Sequence, residues 1–377
     1  MNRILRGAAL VTIFLGCATV QAQAKDLFKV LEDIEIHGFA SASYSYNFNE
    51  PVDGTNCGKF SGGGCLRIFD RDDNSFKFDV GELVFLKEAA NRGDIGFRTD
   101  LAFGFSVPEV SKAASSDSIG GSNDDFDVQQ AYVSWNAPIG KGVNIDFGKF
   151  ITHIGLEVIE GYDGWNNNFS RSFLFGLAIP FVHTGVRASY DINDQVSVMG
   201  GIFNGWDTTT DNNDSKTLGA QVAYTPWDGG TFLFNWIGGN ETATDNDYRT
   251  VFDFVGDIAL TDRISLQLNS DYGFEENARG VGLDAEWWGG AVVLRYNHNS
   301  WMSLNLRTEY FDDDDGVRTG LIQELWEITI TPEFRINQNM VVRLEYRHDE
   351  SDSNVFDDEG VPTDNQDTVA VNALLFF

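Results

Sequence analysis

The chain has 377 residues and carries 57 Asp and Glu against 26 Lys and Arg, a formal net charge of −31. So acidic a chain repels nucleic acid, which excludes that class of partner. Beyond the N-terminal stretch no apolar run reaches about 18 residues, so a membrane can be crossed only by strands, and these must close into a barrel because lipid cannot satisfy an open sheet edge.

Residues 1–24 hold Arg3 and Arg6, a short apolar run, and the small-x-small site Ala22-Gln23-Ala24. That is the pattern of a secretory signal peptide. A lipidation site at Cys17 competes with it, but Phe14 fits that pattern poorly. Export leaves Cys57 and Cys65 on either side of a glycine-rich stretch in an oxidising compartment, and a loop disulfide is expected. Residues 25–35 read as a short periplasmic segment and 36–377 as one transmembrane β-barrel.

From Ile36 onward the polarity alternates with period two: Ile36, Ala40, Ala42, Tyr44 and Tyr46 against His37, Ser41, Ser43, Ser45 and Asn47. The same alternation recurs at 95–107 and at 340–349. Short and long connections then alternate down the chain, which implies about sixteen antiparallel strands with both termini on the short-turn side. The fold class is therefore all-β, an up-and-down transmembrane barrel. The last strand places Val369, Val371, Ala373, Leu375 and Phe377 on one face, and a terminal aromatic suits recognition by the outer-membrane assembly machinery.

A basic side chain on the lipid face at mid-bilayer costs about 2–4 kcal/mol, so parity sends charges to the lumen. Arg98, Asp100, Arg187, Arg295, Arg307, Glu309, Arg343, Glu345 and Arg347 are the expected wall residues, facing water. They serve either as a permeant screen or as cross-strand ion pairs.

Residues 153–185 are too apolar for an exposed loop, holding Phe169, Phe173, Leu174, Phe175, Ile179 and Phe181. The expectation is that this third external loop folds inward and narrows the channel, with Glu157, Glu160, Asn166, Asn168 and Arg171 at the constriction. There the two acids would oppose Arg98, Arg307, Arg343 and Arg347 across a transverse field. An outward loop packed on its neighbours is the alternative. The outer loops are acid-rich, as at 312–315, and divalent cations bridging them to lipopolysaccharide compete with simple solvation. No H-E-x-x-H, G-x-S-x-G, C-x-x-C or P-loop occurs, so no catalytic residue, metal site or cofactor is expected.

The stretches E-V-I at 157–159, N-F-S-R-S-F-L-F at 168–175, A-I-P-F-V-H-T-G at 178–185, N-G-W-D at 204–207 and R-L-E-Y-R-H-D at 343–349 resemble the OmpL-like β-barrel porins of Gram-negative outer membranes. The resemblance implies a porin and brings no defined substrate or binding residues. The expected function is passive diffusion of small hydrophilic solutes through a water-filled barrel in the outer membrane. A substrate-specific channel and a closed structural or adhesive barrel remain alternatives. Lipid, lipopolysaccharide, the assembly machinery and a homotrimer are the expected partners.

Overall fold

The structure is a computed structural model, and it describes residues 33–61, 64–113, 125–242 and 247–377. The signal peptide and nearly all of the proposed periplasmic segment lie outside these residues.

Alternating polarity produces strands β1 (Glu35–Asn47), β2 (Ser75–Lys87), β3 (Ile95–Phe103), β4 (Phe126–Ala137), β5 (Val143–Ile151) and β6 (Val182–Asp191). They are followed by β7 (Val196–Phe203), β8 (Thr217–Trp227), β9 (Gly230–Asn240), β10 (Tyr248–Ala259), β11 (Ile264–Glu275) and β12 (Ala285–Asn297). The chain continues through β13 (Met302–Asp313), β14 (Gln323–Asn337), β15 (Met340–Ser351), the hairpin β16 (Phe356–Asp358) and β17 (Val361–Thr363), and β18 (Asn365–Phe376). Apart from the hairpin, each strand pairs antiparallel with its chain neighbours, and β18 closes on β1, giving a sixteen-stranded barrel. The closing seam runs from Phe39 opposite Phe376 to Asn47 opposite Thr368. Closure satisfies both edges, as the lipid requires.

Parity decides which face meets lipid. On β15, Leu344 and Tyr346 are exposed while Arg343, Glu345 and Arg347 are buried. A one-residue slip would send two arginines and a glutamate into hydrocarbon, so the register is strongly specified. On β18 it is Val371 and Leu375 that are exposed, as is Phe377 just beyond the strand, and Thr368, Asn372 and Leu374 that point inward.

In one place the alternation misleads. The run 95–107 is not one strand: β3 stops at Phe103, and Val107–Ala113 form a short helix, α1, with Val107 buried. The backbone turns at Gly104, whose φ of 129° is accessible to glycine.

Loop 1 (48–74) is folded over the extracellular mouth. Cys57 and Cys65 are joined by a disulfide, and beside it Leu66 and the Arg67 guanidinium are buried, the latter donating to Asp349 at 2.7 Å and to Asp70. The cross-link closes a loop of sequence separation 8. Replacing both cysteines by serine is expected to leave the barrel folded but to release about 2–3 kcal/mol of constraint on loop 1. Limited proteolysis of loop 1 under non-reducing conditions reads this: the variant should be cleaved where the wild type resists.

Candidate functional site

Loop 3 (152–181) leaves β5, runs through the barrel interior and returns to β6. Gly155, at φ 93°, turns the chain inward. The tip descends toward the periplasmic end, where the Trp165 ring stacks on Phe376 at 4.7 Å and Tyr162 on His37 at 3.8 Å. The chain then climbs to a π-helical turn, Leu174–Ala178, whose side chains Leu174, Phe175 and Leu177 are buried. They pack with Phe173, Trp287, Phe311 and Leu325 into one apolar core inside the lumen. This core is why a loop so rich in phenylalanine is stable in that position: about 25 cal/mol per Å² of buried apolar surface favours it.

An irregular backbone held inside a barrel must find partners for its N–H and C=O groups. The wall supplies them. Glu309 accepts the N–H groups of Phe173 and Leu174 at 2.7 and 2.6 Å. Glu345 accepts those of Phe169 and Ser170 at 2.6 and 2.9 Å. From β2, Glu82 takes the Tyr162 N–H at 2.6 Å. The arginines serve the carbonyls: Arg307 donates to Ser170 at 2.7 Å, Arg343 to Asn166 and Asn168 at 2.7 and 3.0 Å, and Arg347 to Arg171 at 2.5 Å.

The loop's own acids complete the arrangement. Glu157 pairs with Arg307 at 2.7 Å and accepts the Ser172 N–H at 2.7 Å. Glu160 pairs with Arg343 at 2.8 Å and Arg171 at 3.3 Å. Burial pushes the Glu160 carboxyl up, but the Arg171 and Arg343 guanidiniums outweigh it and hold the group below the usual carboxylate range.

These contacts correct two expectations. Arg307, Arg343, Arg347, Glu309 and Glu345 point into the barrel yet do not face water, because loop 3 covers them; Arg343 and Arg347 are 0% exposed. Nor do Glu157 and Glu160 oppose the arginines across an open field, since they are joined to Arg307 and Arg343 in direct ion pairs. Asn166, Asn168 and Arg171 are likewise buried between loop and wall. Asn168 donates to Thr331 at 2.7 Å. A transverse field needs separated charges; here the opposite charges touch.

The other wall residues lie elsewhere. Arg98 pairs with Asp100 at 2.8 Å and with the half-exposed Asp163 of loop 3 at 2.7 Å. Arg187 pairs with Asp146 at 2.9 Å and lies over the Phe150 ring at 4.4 Å. Arg295 pairs with Glu333 at 2.6 Å and donates to Asn167 at 2.9 Å. Beneath the loop a cavity of about 240 Å³ is bordered by Leu156, Glu157, Val158, Asp163, Asn167 and Gln267, among others.

Sequence reasoning missed the residues that serve the returning limb. Asp207 in loop 4 (204–216) accepts the Phe181 and Val182 N–H groups at 2.6 and 2.9 Å. Arg318 in loop 7 (314–322) donates to the Leu177 carbonyl at 2.6 Å. Their only signal was charge placed opposite an over-apolar loop. Burial pushes the Asp207 carboxyl up to about 6 despite its two N–H bonds. A raised folded value means that the stability it gives is full below the unfolded carboxylate range and is lost as pH rises through about 6. Thermal midpoints should therefore fall between about pH 4 and about pH 7 in the wild type and fall less in Asp207→Asn.

Residues 33–377 match the family described as "Putative beta-barrel porin-2, OmpL-like". The chain belongs to this family. The porin is also similar in fold to solved outer-membrane proteins. One is the outer membrane channel DcaP of Acinetobacter baumannii, with TM-score 0.60 and 14% identity over 92% of this chain and 97% of that one. Another is an anion-selective porin from Comamonas acidovorans, with TM-score 0.60 and 9% identity over 91% and 99%. A third is the trimer form of OmpT of Vibrio cholerae, with TM-score 0.60 and 12% identity over 91% and 99%. No curated protein matches the chain. The porin is an integral β-barrel of the outer membrane, a channel for passive diffusion of solutes.

Proposed function

We propose that loop 3 is the constriction of this porin and that small hydrophilic solutes pass through the part of the lumen it leaves open. The observation that carries this reading is that a loop rooted between β5 and β6 is anchored at once to β2 and to β13, β14 and β15 on the opposite side of the barrel. Asp163, Asn167, Gln267, Arg187 and Arg295 border the open part and are partly exposed. One acid, two guanidiniums and two neutral amides leave this border of mixed sign, so selectivity is weak and the channel general rather than substrate-specific. No step of this function requires catalysis or a cofactor.

The test is conductance in planar bilayers. Replacing residues 157–171 by a short Gly-Ser linker is expected to raise single-channel conductance several-fold. Equal conductance before and after would contradict the reading, and none in either would favour a closed structural barrel. Glu160→Gln is expected to lower stability by about 1–3 kcal/mol, by leaving buried guanidiniums undercompensated, and to leave the cation-to-anion permeability ratio unchanged. Thermal melts and reversal potentials measure the two effects.

The remaining parts of the reading follow from the barrel's setting. A signal peptide at 1–24 exports the chain, and Phe377 presents the assembly signal. The Cys57–Cys65 cross-link braces loop 1, and the acidic loops present solvated surface charge at the outer mouth. The assembly is a homotrimer in this reading, which is supported by the trimer form of OmpT, a barrel of the same fold.

A further inference from the structure

Where loop 3 begins its descent, two aspartates of adjacent strands meet inside the wall. Asp253 on β10 and Asp271 on β11 are directly opposite in the antiparallel register. Both are buried, at 4% and 2% exposure. Asp253 is well supplied with donors: Asn269 Nδ2 at 2.6 Å and Asn235 Nδ2 at 2.5 Å, with the Gly155 N–H also directed at it. Asp271 has none. Neither of its carboxylate oxygens has a hydrogen-bond partner, and both are sealed from solvent.

Besides Asp253, the charged group that acts on Asp271 is another acid, Glu309 of β13, whose own compensation comes from the loop N–H groups and from Arg307 and Arg347. Opposite Asp271 on β12 stands Gly289, which contributes no charge. The π-helical turn packs over β11 and β12 with apolar side chains. Two bare carboxylates cannot persist side by side in such a place: the donors all serve Asp253, so an ionised Asp271 would lose several kcal/mol of hydration with nothing to replace it, beside a second negative charge.

We propose that Asp253 and Asp271 hold one proton between them, Asp271 as the neutral acid donating its O–H to the Asp253 carboxylate. This gives Asp271 the partner it otherwise lacks and gives Asp253 one more donor. The dyad reaches loop 3 by two routes: Gly155 faces Asp253, and Asn269, held by Asp253, uses its Oδ1 to accept the Leu156 N–H at 3.2 Å. Loss of the proton places two anions in contact and loosens this clamp, so the first turn of the loop, at Gly155 and Leu156, is released as pH rises. The proton itself does not depend on how the channel conducts; its effect on conductance rests on the constriction reading.

Infrared spectroscopy of the reconstituted porin tests the proton. The wild type at neutral pH should show the carbonyl stretch of a buried, protonated carboxylic acid that is missing from Asp271→Asn, where the amide takes the place of the acid. An identical band in both proteins overturns the proposal. Should that variant fail to fold, Asp271→Ser, with a smaller neutral donor, gives the same comparison. The thermal midpoint of the wild type should drop by several degrees between neutral and strongly alkaline pH, and that of Asp271→Asn should drop less. A wild-type midpoint that instead climbs with added sodium or calcium at fixed pH, and not in Asp271→Asn, would show a metal cation there and overturn the proton. Conductance of the same proteins at both pH values is a separate reading: a band difference without a conductance change contradicts the constriction and leaves the proton standing.

Discussion

Arg343→Met is expected to destabilise the folded porin by about 3–5 kcal/mol, the range for breaking a buried ion pair on one side. The guanidinium is fully buried and makes its bonds on three fronts: Glu160 Oε1 at 2.8 Å, the carbonyls of Asn166 and Asn168, and Asn372 Oδ1 at 2.8 Å on β18. Methionine fills much of the volume and supplies no donor. Glu160 keeps Arg171, at 3.3 Å, and the Asn166 N–H, at 3.0 Å, and the loop carbonyls are left in a dry site. Because loop 3 is bound through this residue, the thermal midpoint should fall while single-channel conductance becomes larger and noisier. Replacing the whole triad separates charge from packing: Arg343→Met with Glu160→Leu and Arg171→Met should recover part of the stability, since exchanging every member of a buried ionic cluster for apolar groups is often neutral. Melts of the single and triple variants give the comparison.

Trp287→Ala carries the second large effect, about 3–5 kcal/mol for truncating a fully buried aromatic. The indole is 0% exposed, lies flat against Gly273, where a side chain would collide with it, and donates Nε1–H to the Ala178 carbonyl at 3.2 Å. Arg318 lies over its face at 5.0 Å. Burial draws the Arg318 guanidinium down to about 10, with Arg249 adding to the effect, so the aromatic face and the Leu177 carbonyl are part of what keeps that cation in place. Removing the ring thus opens a cavity against the π-helical turn, strips one of its carbonyls of a donor and uncovers Arg318. The upper part of loop 3 should loosen while its tip stays bound. Hydrogen exchange should show faster amides at 174–178 with little change at 162–165, and uniform protection across the loop would contradict that division.

Much of the barrel was legible because a strand in lipid obeys a strict code. Period-two alternation identifies Leu344 and Tyr346 as lipid-facing and Arg343, Glu345 and Arg347 as inward, and the alternation of short and long connections supplies sixteen strands. The same code fails at 104–107, where the alternation continues past the end of β3 but the backbone turns at Gly104. The apolar content of residues 153–185 was readable as a need for burial. What parity cannot show is distance: an inward arginine lines water or grips a loop depending on what occupies the lumen. For Arg307 and Arg343 the occupant is loop 3, and the expected screening charges turn out to be its anchors. Asp207 and Arg318 were hidden for another reason, since they reach the loop from other external loops, whose course no periodicity encodes.

Loop 3 lies inside the barrel with its tip near the periplasmic end. The direct measurement is a cross-link between Trp165→Cys and Phe376→Cys, whose native rings stack at 4.7 Å, made in the otherwise intact porin with Cys57–Cys65 oxidised. A short thiol cross-linker is expected to join the pair in outer membranes, and Trp165→Cys alone is expected to be shielded from a membrane-impermeant thiol reagent applied from outside. A loop standing outward would give no cross-link and prompt labelling from outside, and that result would contradict the inward placement.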